Sequence, residues 1–394
     1  MNQQLSSFAA RLCGMVANRQ PAIGNRQFSQ LALELFALQF NHNSAYRKIC
    51  KARKLTPDIV EHWTQIPAVP AAAFKELKLT SLAPDERTAV FHSSGTTEQK
   101  SSRHFHSTES LAVYETSLWA WFERNVVTPF MARAPSSHPS PPLGEKVAEG
   151  RLRGSTMDFN LIALTPPPAL VPYSSLVHMF EVVRQKLGST ESAFVGKLAA
   201  DGTWILDFIA VMDALSSRPQ ASNPRPLLLL GTAFSFVHLL DHLVERNLSF
   251  QLPGGSRVME TGGYKNRSRT MPKTELHALI TKQLGVTPGN IICEYGMSEL
   301  SSQAYDSEIQ NPESRIQNRV FQFPPWARVQ IISPETVREV AEGETGLIRV
   351  FDLANVFSVA AIQTEDLGIR RGDGFELIGR AQLAEPRGCS LMTI

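Results

Sequence analysis

The segment Ser93-Ser94-Gly95-Thr96-Thr97 sets four hydroxyls around one glycine, directly after the β-forming run Thr88–His92. A strand feeding such a loop offers hydroxyls and backbone N–H groups to a single anion, and the glycine lets the backbone approach closely. Met259-Glu260-Thr261-Gly262-Gly263-Tyr264 is a second strand end, with paired glycines beside an aromatic ring. In Glu294-Tyr295-Gly296-Met297-Ser298-Glu299 the ring of Tyr295, next to Gly296, can lie against a flat base. The Glu299 carboxylate in the same segment suits a hard cation such as Mg²⁺. Thr364-Glu365-Asp366-Leu367, followed by Gly379-Arg380, brings a carboxylate for vicinal hydroxyls and a guanidinium for a phosphate. Each segment alone also reads as an ordinary turn or strand end. Together, in this order, they point to nucleotide chemistry.

Cys389 stands apart from these clusters. It sits beside Gly388 and after Arg387, near the last residue, Ile394. A thiol on such an arm can swing, and a neighbouring guanidinium lowers its pKa toward the reactive range. Cys13, Cys50 and Cys293 are poorer nucleophiles by position, the first two in helical segments and the third in an apolar strand expected to be core. The cysteines fall singly, without CxxC or zinc spacing, as expected of a reduced, cytoplasmic protein.

The elements that position these residues follow from the patterning of 394 positions, 43% of them hydrophobic. Residues 1–55 carry helical periodicity, and Ala71–Leu79 can restart a helix after the prolines Pro67 and Pro70. A helix is expected over Ser107–Asn125. Residues 131–156, rich in proline and then in charge, read as an inserted flexible loop. Beyond it, Phe159–Leu164, Leu227–Leu230, Ser256–Glu260 and Asn290–Cys293 are strands, and Ser174–Leu187, Trp204–Leu215 and Phe234–Glu245 helices. That alternation indicates βαβ units and a mostly parallel sheet. After about residue 318 the texture becomes β-rich, with short strands at Arg328–Ile332, Gly346–Phe351, Val359–Ile362 and Gly374–Ile378. Lys+Arg 39 against Asp+Glu 37 excludes a basic nucleic-acid stripe over the whole chain. The longest apolar stretch, Leu227–Leu240, is broken by polar residues and too short for a membrane span of about 20 residues.

In this order the clusters resemble the core motifs of the adenylate-forming superfamily. Its phosphate loop resembles Ser93–Thr97, its adenine-side Gly-Gly resembles Gly262-Gly263, and its Tyr-Gly-x-Ser/Thr-Glu is matched by Tyr295–Glu299. Thr364–Leu367 and Gly379-Arg380 match its Thr-x-Asp-Leu and Gly-Arg. A narrower resemblance, to the acyl-protein synthetase (LuxE) family, lies in Ile66–Lys75, Ser93–Thr97, Pro172–Leu176, Glu260–Lys265 and Arg387–Leu391. It implies an α/β fold with a large adenylate-forming domain over residues 1–378, parallel βαβ sheet and a β-rich C-terminal subdomain. Residues 379–394 are then a tail carrying the acceptor Cys389. It implies ATP and Mg²⁺ as cofactors, a fatty acid as substrate, and an acyl reductase and an acyl-transferase protein as partners. The resemblance assigns Ser93, Ser94, Gly95, Thr96 and Thr97 to the phosphates and Gly262, Gly263, Tyr264, Tyr295, Gly296 and Ser298 to the nucleotide. It gives Glu299 to Mg²⁺, and Asp366 and Arg380 to the ribose and α-phosphate.

Two departures keep other readings open. Glu98 stands where relatives carry glycine after the phosphate loop, and a carboxylate beside a triphosphate costs binding unless it points outward. His104 and His106, which follow the loop, are expected to be exposed. The sequence also ends soon after Arg380, so the superfamily's C-terminal lysine domain is expected to be absent. That argues against an ordinary CoA ligase unless the domain is supplied in trans, and it fits a tail cysteine as acceptor. The alternatives are an acyl- or aryl-CoA ligase and a degenerate, non-catalytic binding subunit.

Overall fold

A computed structural model describes residues 2–18, 23–93, 100–128, 159–189, 191–216, 225–264, 268–308 and 319–381. The expected loop 131–156, residues 94–97, Glu98 and Cys389 lie outside them. The chain forms two compact units, residues 1–117 with 295–394 and residues 118–294. The stretch expected as one domain over 1–378 contains both.

In the first unit, Asn2 accepts from the Gln4 and Leu5 N–H groups and starts helix α1 (Gln3–Ala17), which buries the stripe Leu5, Phe8, Leu12, Val16. Asn43 ends α2 (Asn25–His42) and caps α3 (Ser44–Ala52) by accepting from the Tyr46 N–H. Pro70 closes the short strand β1 (Val69–Pro70). The helix expected over Ala71–Leu79 is a single turn, α4 (Ala73–Glu76), because the chain turns extended at Leu77. Strands β2 (Ala89–His92) and β3 (Arg103–His106) pair antiparallel, with Phe91 opposite His104. The histidines expected at the surface are therefore strand residues pointing inward, His104 3% and His106 1% exposed. Helix α5 (Thr108–Phe122) follows; its residues from Leu118 on, and the wider turn over Glu123–Val127 that ends it, belong to the second unit.

The second unit alternates strand and helix. Strand β4 (Asn160–Ala163) leads to α6 (Ser175–Leu187), capped by Ser174 and stopped by left-handed Gly188. After β5 (Ala193–Phe194), β6 (Gly196–Leu198) pairs antiparallel with β7 (Trp204–Leu206). This corrects the helix expected over Trp204–Leu215: Gly202 turns the chain into a hairpin. Helix α7 (Phe208–Ser216) begins only after Asp207, whose carboxylate accepts from the Ala210 N–H. Strand β8 (Leu227–Thr232) is buried throughout, as its apolar run predicts, and Thr232 caps α8 (Ala233–Glu245). Strand β9 (Arg257–Thr261), helix α9 (Lys273–Leu284) and strand β10 (Ile291–Tyr295) complete the pattern. Within this unit β10, β9, β8, β4 and β5 are parallel neighbours in that order, as the βαβ reading requires. Leu229, Phe236, Leu240, Leu276 and Ile280 meet in its core.

The chain then returns to the first unit with β11 (Ala304–Glu308), β12 (Arg319–Gln322), β13 (Ala327–Ile332), β14 (Thr345–Asp352), β15 (Ala361–Arg371) and β16 (Gly374–Arg380). These pair antiparallel in the order β13, β14, β15, β16, β12, β11, and β1 lies parallel on β15. The short strand expected over Val359–Ile362 is the start of β15, so Thr364–Leu367 lies inside a strand and not at its end. The β15–β16 register shifts at Leu367/Gly368, a bulge beside Asp366. Among the described residues no helix is long and apolar enough to cross a membrane.

Gly374 carries a close approach in this sheet. A Cβ there would lie 2.5 Å from the Phe321 carbonyl oxygen and 2.8 Å from Val320 Cγ1. Gly374→Ala is expected to destabilise the protein by about 1–3 kcal/mol through overpacking. A lower denaturation midpoint in urea checks this, and an unchanged midpoint contradicts it.

Candidate functional site

Tyr295, the last residue of β10, is boxed edge-on by Phe321, Phe323 and Phe375, with ring centroids 6.2, 6.2 and 5.2 Å away. A phenol buried among phenyl rings needs a polar acceptor. It has one: the Tyr295 hydroxyl donates to Asp366 Oδ2 at 2.9 Å. Thr364 steadies the carboxylate by accepting from the Asp366 N–H at 3.1 Å. Burial raises the Asp366 pKa, opposed by the Tyr295 hydrogen bond and the Arg380 charge. Arg380 lies opposite Asp366 in the β15–β16 ladder. Its guanidinium is 73% exposed and pairs with Glu365 at 2.6 Å. Such an exposed pair is worth little and yields readily to a stronger anion.

The loop after Tyr295 is fixed from several sides. Ser298 Oγ donates to the buried Glu299 carboxylate at 3.0 Å. Asn355 donates to the Glu299 carbonyl at 2.9 Å. Asp352, fully buried, accepts from the Ser301 N–H and the Ser302 hydroxyl at 2.9 and 2.8 Å. From the β2–β3 hairpin side, His104 Nδ1 lies 2.9 Å from the Ser298 carbonyl and is assigned as its donor. Desolvation pushes the His104 pKa down to about 4, so the ring is neutral near pH 7. The Ser102 hydroxyl lies 3.4 Å from that of Ser298, and the Ser102 N–H donates to Ser93 Oγ at 3.0 Å. Burial raises the Glu299 pKa, with hydrogen bonds from Ser102 and Ser298 and the Arg380 charge acting against it.

The structure thus brings Ser93, Tyr295, Ser298, Glu299, Asp366 and Arg380 into one network of contacts and charges, with Gly296 exposed on the same loop. Gly262, Gly263 and Tyr264 belong to the second unit. Gly262 is exposed with φ +69°, a conformation that favours glycine. Tyr264 packs on that unit's core and donates its hydroxyl to the Met271 carbonyl at 2.7 Å. Residues 94–97 and Cys389 fall outside the described residues. Ser102 and Asp352 were not among the expected residues, and His104 was expected at the surface. Alternation in Arg103-His104-Phe105-His106 was the available signal for the histidines; the Ser and Asp contacts have no local signature.

The second unit also buries two carboxylates on neighbouring strands. Thr261 and Glu294 are register partners, and the Thr261 hydroxyl donates to the Glu294 carboxylate. Glu260 and Cys293, one residue earlier, are partners too, and the Cys293 thiol donates to Glu260 at 2.9 Å. Cys293 is in the core as expected, with a polar partner that its apolar strand did not announce.

With the geometry in place, comparison with known proteins gives the class and then the family. The fold is similar to that of 2-hydroxyisobutyryl-CoA ligase in the postadenylation state with 2-HIB-AMP, at TM-score 0.60 and 11% identity over 90% of this chain and 67% of that one. An open conformation of that ligase gives TM-score 0.59, over 90% of this chain and 74% of that one. The fold is that of the adenylate-forming ligases. The family described as acyl-protein synthetase, LuxE, matches residues 19–117 and 180–393. This chain belongs to that family. Two long-chain-fatty-acid–luciferin-component ligases are similar to it. That of Vibrio harveyi is 21% identical over 379 residues, 92% of this chain and 86% of the relative. That of Aliivibrio fischeri is 28% identical over 184 residues, 43% of this chain. The latter match spans 46% of the Aliivibrio protein, less than half its length.

Burial pushes the Glu294 carboxyl up from 4.5 to about 7, with Glu260 adding to the shift and Thr261 opposing it. Between those values the unfolded chain has released a proton that the folded protein keeps, so this group's contribution to stability falls as pH rises from 4.5 to about 7. Glu260 acts outside that window. Burial would raise its pKa, but Lys273, His277 and Cys293 hold it at about 2. Glu294→Gln is expected to remove a fall on the order of 3 kcal/mol from the pH–stability curve. Denaturant unfolding at about pH 5 and about pH 8 measures it, and an identical slope in the variant contradicts the assignment.

Proposed function

We propose that this chain activates a long-chain fatty acid with ATP and carries the acyl group on Cys389 as a thioester, for delivery to an acyl reductase. Family membership and the similarity to two long-chain-fatty-acid–luciferin-component ligases support the fatty acid. The observation that carries the nucleotide reading is the Tyr295–Asp366 hydrogen bond, which joins two motifs 71 positions apart.

In the first step a carboxylate oxygen bonds to the α-phosphorus of ATP and the bond to the β-phosphate bridging oxygen breaks, giving acyl-AMP and pyrophosphate. The protein's contribution is positioning and charge neutralisation. Asp366, oriented by Tyr295, accepts from the ribose hydroxyls. Arg380 exchanges its exposed partner Glu365 for the α-phosphate. Ser93, with Ser94, Gly95, Thr96 and Thr97, holds the outer phosphates through hydroxyl and N–H groups, and Gly262 and Gly263 keep the adenine-side role of the family motif. Mg²⁺, when bound, neutralises phosphate charge. The buried Glu299 carboxylate, met by hydroxyl donors, has donor chemistry that fits it. In the second step the Cys389 thiolate attacks the acyl carbonyl, the carbon–sulfur bond forms and AMP leaves.

ATP–pyrophosphate exchange across a panel of carboxylates, followed by intact-mass measurement without coenzyme A, tests this reading. The expected result is exchange with long-chain acids and one acyl adduct. Cys389→Ser loses the adduct and keeps exchange, whereas Asp366→Asn lowers exchange at least about tenfold, some 1.4 kcal/mol of transition-state stabilisation. No exchange with any carboxylate, or acyl transfer only when coenzyme A is added, overturns it.

A further inference from the structure

One cluster of ligating side chains lies outside the residues used above. Glu260 and Cys293 are register partners on the parallel strands β9 and β10, so both side chains leave the same face of the sheet. Helix α9 presents Lys273 and His277 to them, one turn apart on its surface. Cys293 Sγ is 2.9 Å from Glu260 Oε1 and 3.7 Å from His277 Nε2, and His277 Nε2 is 3.5 Å from Glu260 Oε1. Glu260 is fully buried, and its second oxygen, Oε2, has no hydrogen-bond partner among the described residues.

We propose that Glu260, His277 and Cys293 form a zinc-binding site with one further coordination position open. The donor set of thiolate, imidazole and carboxylate is the one that a borderline-soft divalent metal takes, and magnesium or calcium does not. Zinc bond lengths of about 2.0–2.3 Å in a tetrahedron put ligand atoms about 3.3–3.6 Å apart. The two distances to His277 Nε2 are close to that range, and the shorter sulfur–oxygen distance is the hydrogen bond that metal binding replaces. Charge balances as well. The Lys273 ammonium, 2.6 Å from Glu260 Oε1 and 41% exposed, now offsets the carboxylate beside a neutral thiol. On binding Zn²⁺ the Cys293 thiol releases its proton to solvent and the ammonium swings outward, leaving two anionic ligands against two positive charges. The metal would clamp α9 to the strands that precede Gly262 and Tyr295.

The test uses the full chain with Cys389→Ser, so that a tail thiol cannot contribute, stripped of metal and titrated with Co²⁺ alone. One equivalent is expected to bind with a thiolate-to-cobalt charge-transfer band that Zn²⁺ abolishes. Cys293→Ser loses the band, and His277→Ala weakens binding about tenfold or more. Zn²⁺ raises the thermal midpoint of the starting protein, and raises that of His277→Ala by less at the same Zn²⁺ concentration. A titration without the band, a band that survives Cys293→Ser, or equal affinity in His277→Ala overturns the site.

Discussion

A tyrosine hydroxyl among phenyl rings cannot be left without an acceptor, and the rest of the first unit is arranged around meeting that need. Tyr295, itself buried, meets it with the half-buried Asp366, so the phenol depends on that carboxylate. The pairing ties the loop after β10 to the middle of β15. The β15–β16 ladder then sets Arg380 opposite Asp366, and its charge reaches both Asp366 and Glu299. Asn355, Asp352 and His104 hold the Ser298–Ser302 backbone from other elements. These contacts hold the candidate site together from several elements, as the proposed reaction by positioning requires.

The second unit shows how neighbouring groups of one type acquire opposite character. Glu260 and Glu294 are separated by one register step on adjacent strands, and both are buried. Lys273 and His277 hold Glu260 ionised, whereas Glu294 has a hydroxyl for company and titrates near neutrality. The difference arises from α9, which brings Lys273 and His277 to one face of the sheet and not to the other. Polar groups at this depth are costly unless fully partnered.

The motif residues were legible because their chemistry is local: a glycine pair, a Tyr-Gly turn, a Thr-x-Asp run. Strand β8 was legible from four successive leucines, and the βαβ order followed from its spacing to α8 and β9. The helix expected from Trp204 failed because an apolar run of that length fits strand or helix, and the Gly202 turn decided for a hairpin. Strand β15 was read as too short because charged residues interrupt it, and one of them, Asp366, is the partner of Tyr295. The histidines were expected to be exposed as residues following a loop; their pairing in β3 against β2 turns them inward. What local pattern cannot show is pairing at long range. Asn355 with Glu299, Ser102 with Ser298 and Gln39 with the Asn355 carbonyl are separated by 56, 196 and 316 positions.

In the proposed reaction Tyr295 and Asp366 act as one unit in handling the nucleotide. A double-mutant cycle of Tyr295→Phe and Asp366→Asn, read by fatty-acid-driven ATP–pyrophosphate exchange, tests it most directly. If they act together, the double variant is no slower than the slower single variant. Losses that multiply, or a Tyr295→Phe enzyme as fast as the starting protein, would contradict the account.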